Sequence, residues 1–410
     1  EVPDVAIVAV PAPQVLDVVT ALGERGTTAA IIFSAGFAEV GGEGEVLQAK
    51  LLAAARRTGI RLLGPNAFGL VNFHARFVGS FIPSVALGPV RQGGVGIISQ
   101  AGAYGGHLVM AAQAAGIGLS NAIMTGNEAD ISLGEVMQLL IDDPRTDVIA
   151  LYSEGIKGGQ GFIAALEAAR RARKPVVMMK VGRSEVGGAA ARSHTASIAG
   201  DDAVVDAVLA EFGVVRVRST EEMLDIVRLA TRGIYPADNT LGVMSISGGA
   251  GVIASDVAEE LGLPMPQMPA AAQRRLLELL PICSPRNPVD TTAQIVNDPS
   301  VIRPFLDAMV EGGGYQSFLG FFTYAGATPP LVPTLLEQLS LVRQRHSERL
   351  YVLVLQGPQD VLRAYEDAGF TVFEDPTRAV VAIAAMGRFG RAFAGRPTLP
   401  PPTVAPVVLP

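Results

Sequence analysis

At 410 residues the chain is longer than one ordinary core sustains, and 49% hydrophobic against 17% charged residues excludes a disordered polymer. Its net charge of −7, with the acids spread along the chain, excludes a basic face for nucleic acid, and no apolar run is long enough to cross a membrane. A single cysteine, Cys283, excludes an internal disulfide, and no spacing suggests a thiolate metal site, so a cytoplasmic chain without a structural metal is expected. Residue 1 is a glutamate that enters a strand almost directly, with neither an initiator methionine nor a signal peptide, so the start reads as an internal boundary.

In chain order, the apolar run Val5–Val10 and the turn Pro11-Ala-Pro13 lead into a helix from Gln14 to Gly23. The strand Ala29–Phe33, a second helix over Glu43–Thr58, the short strand Arg61–Leu63 and the turn Gly64–Gly69 follow. Alternating strands and helices predict a parallel sheet whose strand ends open on one crevice, where a nucleotide-bearing ligand binds. On spacing alone these turns are equally ordinary connections.

After Pro89 the pattern restarts with the strand Gly93–Ser99, a glycine-rich turn over Gln100–Gly106 and a helix through about Ala115. Next come the strand Asn121–Met124, the loop Thr125–Asp130, the helix Leu133–Ile141 and the strand Asp147–Tyr152, which ends at Glu154. The strand Pro175–Lys180 opens a loop to Gly200, rich in small residues and carrying His194, and a helix begins at Asp201. A third set starts with Thr240–Ile246, the turn Ser247–Gly251 and a helix to about Leu261, and continues with strands Ser317–Phe322, Leu350–Leu355 and Phe370–Phe373. The proline-rich stretch 396–410 reads as a linker or tail. The expected domains are therefore residues 1–88, 89–235 and 236–395.

Glycines at a strand-to-helix turn let phosphate oxygens reach the free N–H groups at the positive end of the helix. That makes Ser99, Gln100, Ala101 and Gly102 candidate phosphate binders; close packing of helix on strand explains the same glycines equally well. Neutral imidazole is a competent nucleophile near pH 7, and a carboxylate such as Glu154, at a strand's C-terminal end, could hold one ring nitrogen of His194. For His194 taken alone, a surface loop without chemistry stays open.

The segment Ser193-His194-Thr195-Ala196-Ser197-Ile198-Ala199-Gly200 closely resembles the phosphohistidine segment of the ADP-forming acyl-CoA synthetases, relatives of succinyl-CoA synthetase, whose pattern reads Ser-His-Thr-Gly-Ser-Leu-Ala-Gly. Ala196 stands where that pattern has glycine. Tyr152-Ser-Glu-Gly-Ile156 is similar to the segment with the family's histidine-orienting glutamate, and Ser99-Gln-Ala-Gly102 resembles its Ser-Gln-Ser-Gly turn, with Ala101 replacing the second serine. Val10-Pro-Ala-Pro13, Ser34-Ala-Gly-Phe37 and Gly64-Pro-Asn-Ala-Phe-Gly69 resemble three CoA-contacting loops of the succinyl-CoA synthetase α-subunit, with Ala67 where cysteine is usual.

The resemblance implies an α/β chain with a Rossmann-like CoA-binding domain lacking its N-terminal part, followed by two flavodoxin-like domains of succinyl-CoA synthetase type. It assigns coenzyme A to Val10, Pro11, Pro13, Ser34, Gly36, Phe37 and Asn66, phosphate to the helix start at Ser99, Gln100, Ala101 and Gly102 and to a second one at Gly248, Gly249, Ala250 and Gly251, and the phosphoryl group to His194 assisted by Glu154. The implied reaction is acyl-CoA + ADP + phosphate ⇌ carboxylate + CoA + ATP, through an acyl phosphate and a phosphohistidine. Mg-ATP or ADP would sit on an ATP-grasp domain, expected from a partner subunit or from a continuation beyond Pro410, in an oligomer. The alternatives are a non-catalytic CoA-binding regulatory module and a true succinyl-CoA ligase α-subunit, which the third domain disfavours.

Overall fold

The computed structural model describes residues 1–85, 88, 91–188 and 202–395, apart from the side chains of Ile295 and Val296; the segment with His194 and the 396–410 tail lie outside the described residues. The described chain divides into two compact units, 1–227 and 228–395.

The first unit opens with strands β1 (Val5–Val8), β2 (Ala29–Ile32) and β3 (Arg61–Leu63), paired parallel in that order. Helices α1 (Ala12–Glu24) and α2 (Glu43–Thr58) cover them through Val15, Val19, Leu51 and Ala55, which pack on Val8, Ile32 and Leu62. Helix α2 carries Glu43 and Glu45 in its first turn and Arg56 and Arg57 in its last, matching its dipole, and ends at Gly59 with φ 80°.

Strands β4 (Gly69–Asn72) and β5 (Phe77–Ser80) form an antiparallel hairpin. Sequence alone puts residues 1–88 in one domain, but β4 pairs with β7 (Leu119–Met124), carrying the hairpin into the second sheet. That sheet also holds β6 (Gln92–Ser99), β8 (Val148–Ser153), β9 (Val176–Lys180) and β10 (Val215–Arg216), in the order β10-β9-β8-β6-β7-β4-β5. Helices α3 (Gly102–Ala114), α4 (Leu133–Asp142), α5 (Gly159–Arg171), α6 (Asp202–Glu211) and α7 (Thr220–Ala230) follow its strands. All six residues of β8, Val-Ile-Ala-Leu-Tyr-Ser, are buried, as a parallel strand covered on both faces requires. Helix α4 buries Leu133, Val136, Met137 and Leu140 at helical spacing and starts on a reciprocal Ser132–Glu135 capping box.

The second unit holds a parallel sheet in the order β12-β11-β13-β14-β15, from β11 (Leu241–Ser245), β12 (Val289–Asp290), β13 (Ser317–Thr323), β14 (Leu350–Leu355) and β15 (Thr371–Phe373). Helix α8 (Gly248–Glu260) follows β11, and the long helix Pro376–Phe393 is buried along much of its length. The other face packs Phe305, Met309, Tyr315, Phe318 and Phe322 with Leu335 and Tyr365.

One local correction applies to both glycine-rich segments. Gln100–Gly106 and Ser247–Gly251 are not extended turns: the helices already begin at Gly102 and Gly248, so most of these residues form a first helical turn.

Candidate functional site

Strand order in the second sheet reverses between β8 and β6, and the segments leaving these two strands meet there. In doubly wound sheets such a switch point opens the ligand crevice. Gln100 follows β6, and its side-chain Oε1 accepts from Glu154 N at 2.7 Å, Gly155 N at 3.0 Å and Ser153 Oγ at 3.1 Å. Its Nε2 donates to Gly155 O at 2.7 Å and to Glu128 Oε1 at 3.0 Å, while its backbone N–H donates to Tyr152 O. Glu128 also accepts from Thr125 Oγ1 and, at the start of α4, from Leu133 N. Burial outweighs those hydrogen bonds and pushes the Glu128 carboxyl above its ordinary range.

Glu154 is 6% exposed, directly beyond the last residue of β8. Burial and then the Glu154 charge push Tyr152 up to about 12. Lys180 ends the neighbouring β9 and is buried; burial and then the Arg216 guanidinium hold its ammonium below the usual range, while the Asp202 and Glu154 charges act the other way. Tyr104, in the first turn of α3, packs tilted against Tyr152 with ring centroids 4.3 Å apart, and its hydroxyl lies 2.7 Å from Thr220 Oγ1. His107 is exposed on α3, with Nε2 3.4 Å from Thr220 Oγ1.

The loops assigned to coenzyme A are joined in the same unit. Ser34 Oγ donates to Val10 O at 2.5 Å, and Asn66 N donates to Ser34 O at 2.9 Å. Asn66 takes the left-handed φ of 55° that asparagine tolerates, and its Nδ2 donates to Asn127 Oδ1. Pro11 precedes α1, and Pro13 is exposed in its first turn.

Phe37 is fully buried among Val15, Val19 and Leu51, so only its backbone faces the loop. The N–H groups of Gly36 and Phe37 donate to the Glu39 carboxylate, at 2.6 Å for Gly36. Asn127 Nδ2 donates to Glu39 and to Gln48 Oε1, and Lys157 Nζ donates to Asn127 O. Burial alone would raise Glu39, but the hydrogen bonds from Asn127, Gly36 and Phe37 prevail and hold it below its ordinary range. Asn127 and Glu128 thus join the Gly36–Phe37 loop to Gln100. Neither they nor Glu39 stand out in the sequence; the one available signal was a polar Thr-Gly-Asn-Glu loop after a buried strand.

Both glycine-led helices start without a side-chain cap. At α3, Ser99 Oγ instead donates to Ala101 O at 2.6 Å, closing the turn. A Cβ on Gly102 would lie 2.1 Å from Phe68 Cδ1, so packing alone demands glycine there. At α8, Gly248 and Gly249 are exposed while Ala250 and Gly251 are buried, and a Cβ on Gly248 would lie 3.0 Å from Asp290 Oδ2. That helix start therefore already faces a carboxylate. Among the described residues no cluster of His, Cys, Asp and Glu is arranged to hold a metal ion.

Of the candidate residues, the structure thus joins Val10, Ser34 and Asn66 in one set of loops and Ser99, Gln100 and Glu154 in another. Gly248–Gly251 belong to the other unit, and His194 is outside the described residues.

Comparison with known proteins adds sequence kinship to this geometry. Residues 92–230 match the succinyl-CoA ligase like flavodoxin domain, and residues 1–72 match a CoA binding domain. The chain is 31% identical over 393 residues to the α subunit of ADP-forming acetate–CoA ligase I of Pyrococcus furiosus, covering 95% of this chain and 83% of that one. It is 36% identical over 291 residues to the α subunit of ligase II of the same organism, covering 71% of this chain and 62% of that one. The apo structure of a dinucleotide forming acetyl-coenzyme A synthetase 1 from Ca. Korarchaeum cryptofilum superposes with a TM-score of 0.84 at 28% identity, covering 96% of this chain and 85% of the other.

Proposed function

The chain belongs to the family of ADP-forming acetate–CoA ligases and acyl-CoA synthetases, and from that premise we propose that it carries the acyl-transfer and phosphohistidine steps of acyl-CoA + ADP + phosphate ⇌ carboxylate + CoA + ATP. The observation that carries the reading is Glu154, buried at the switch point and held through its backbone by Gln100.

In this scheme a phosphate oxygen attacks the thioester carbonyl, the CoA thiolate leaves, and an acyl phosphate forms. A neutral ring nitrogen of His194 then attacks phosphorus, releasing the carboxylate and leaving the phosphoryl group on the imidazole. Glu154 accepts the N–H of the other ring nitrogen, fixing the tautomer and offsetting the positive charge that develops on the ring. The free N–H groups at the start of α3, which have no side-chain cap, suit an anion, and Lys180 adds charge to the same end of the sheet.

Transfer to ADP needs Mg-ADP on an ATP-grasp domain, which we assign to a partner subunit or a fused domain; the two Pyrococcus relatives are themselves named α subunits. The test is radiolabelled acetyl phosphate added to the chain. An acid-labile, alkali-stable label is expected on the protein and is expected to vanish in His194→Ala; a label that persists in that variant, or never forms, overturns the reading.

A further inference from the structure

The first steps after the leading strand are built alike in the two units. Ser99 Oγ donates to Ala101 O at 2.6 Å, and Ser245 Oγ donates to Ser247 O at 2.6 Å. Thr125 N donates to Ser99 O, and Thr291 N donates to Ser245 O, both at 2.9 Å. Gln100 N donates to Tyr152 O, and Ile246 N donates to Phe321 O, both at 3.2 Å. Strand pairing agrees, since Ser99 is level with Tyr152 and Ser245 with Phe321. Counting onward from that register, Gln100 corresponds to Ile246 and Glu154 to Thr323.

The second unit therefore shows that this turn closes with an apolar side chain at the Gln100 position. Gln100 is not there to make the turn. Its side chain is spent instead on the segment leaving β8: Oε1 receives three donors from Ser153, Glu154 and Gly155, and Nε2 is divided between Gly155 O and Glu128. None of that capacity is left for a phosphate.

We infer that Gln100 is a positioning residue, anchored by Glu128, that fixes the peptide from which Glu154 projects. The unit that carries the acid has the amide, and the unit that carries Thr323 has Ile246. This rests on the reading that Glu154 serves His194. A buried five-contact clasp sets the direction of the following Cα–Cβ bond, and a displacement of about 1 Å at a group touching the reacting centre slows a reaction on the order of 100-fold.

The experiment follows labelling of the full chain by acetyl phosphate in the wild type, Gln100→Ile, Glu154→Gln and the double variant, with circular dichroism confirming the fold. Gln100→Ile copies a side chain that the second unit already accommodates. Its maximal rate is expected to fall about 100-fold while the half-saturating acetyl phosphate concentration moves less than about three-fold, the signature of an interaction made in the transition state. The double variant is expected to be no slower than Glu154→Gln alone, because Gln100 acts only through that acid. Should Gln100→Ile not fold, Glu128→Gln decides, with a smaller loss of rate that is likewise absent when Glu154 is already replaced.

A wild type that labels on His194 but keeps its rate in these variants, or effects that multiply with Glu154→Gln, overturns this inference and leaves the proposed function standing. A wild type that does not label overturns the proposed function itself.

Discussion

Glu39 and Glu128 both accept hydrogen bonds from backbone N–H groups, yet the balance of burial against hydrogen bonding moves them to opposite sides of their ordinary value of 4.5. For Glu39 the hydrogen bonds win, so its folded-state pKa is depressed: its contribution is present above pH 4.5 and is lost as pH falls through the lowered value. For Glu128 burial wins, so between pH 4.5 and its raised value the folded state holds more protons than the unfolded one, and its contribution falls as pH rises. Urea unfolding followed from about pH 3 to about pH 7 should separate the two, the limb below pH 4.5 reporting Glu39 and the limb above it Glu128. Relative to the wild type, Glu128→Gln should gain stability as pH rises above 4.5, while Glu39→Gln should lose it as pH rises toward 4.5 and stay destabilised above. Parallel curves for the two variants would contradict the assignment.

At the scale of elements, the start of α3 answers to two demands at once. Its free N–H groups suit an anion, but Gly102 is also forced by the Phe68 ring, which a Cβ would approach to 2.1 Å. Gly102→Ala should therefore cost about 1–3 kcal/mol of unfolding free energy through overpacking, read by denaturant midpoint, whether or not phosphate is present. A substitution that is neutral for stability and weakens only labelling would mean that Phe68 moves aside freely.

The same element shows what the sequence could and could not announce. Strands such as Val148–Ser153 were legible because a strand buried on both faces is written as an unbroken apolar run. The hairpin Gly69–Asn72 with Phe77–Ser80 was not, because a four-residue strand declares neither its antiparallel partner nor its membership of a sheet whose other strands lie beyond residue 91. Glu154 could be placed from its position after a strand. The side-chain partners of Gln100 could not, since they lie 28 to 55 residues away and only folding brings them together.

Across the whole molecule, the two units repeat one strand–turn–helix device, and only the first has an amide and an acid, Gln100 and Glu154, at the corresponding positions. A chain of this kind should separate the proposed reaction into halves. Acetyl phosphate alone should load the phosphoryl group, because acyl phosphate, His194 and Glu154 suffice for that transfer. Discharge to ADP would need a terminal β-phosphate oxygen of ADP held in line with the phosphorus on His194, forming the new O–P bond as the N–P bond breaks, with a divalent cation to neutralise the phosphates, which is the task assigned to the ATP-grasp domain. Protein labelled from acetyl phosphate and freed of excess donor should therefore keep its label when Mg-ADP is added to this chain by itself. It should release the label as ATP when a cognate ATP-grasp subunit is supplied with Mg-ADP, measured as labelled ATP by chromatography. Prompt ATP formation by residues 1–410 unaided would place the nucleotide site within this chain and remove the need for that partner.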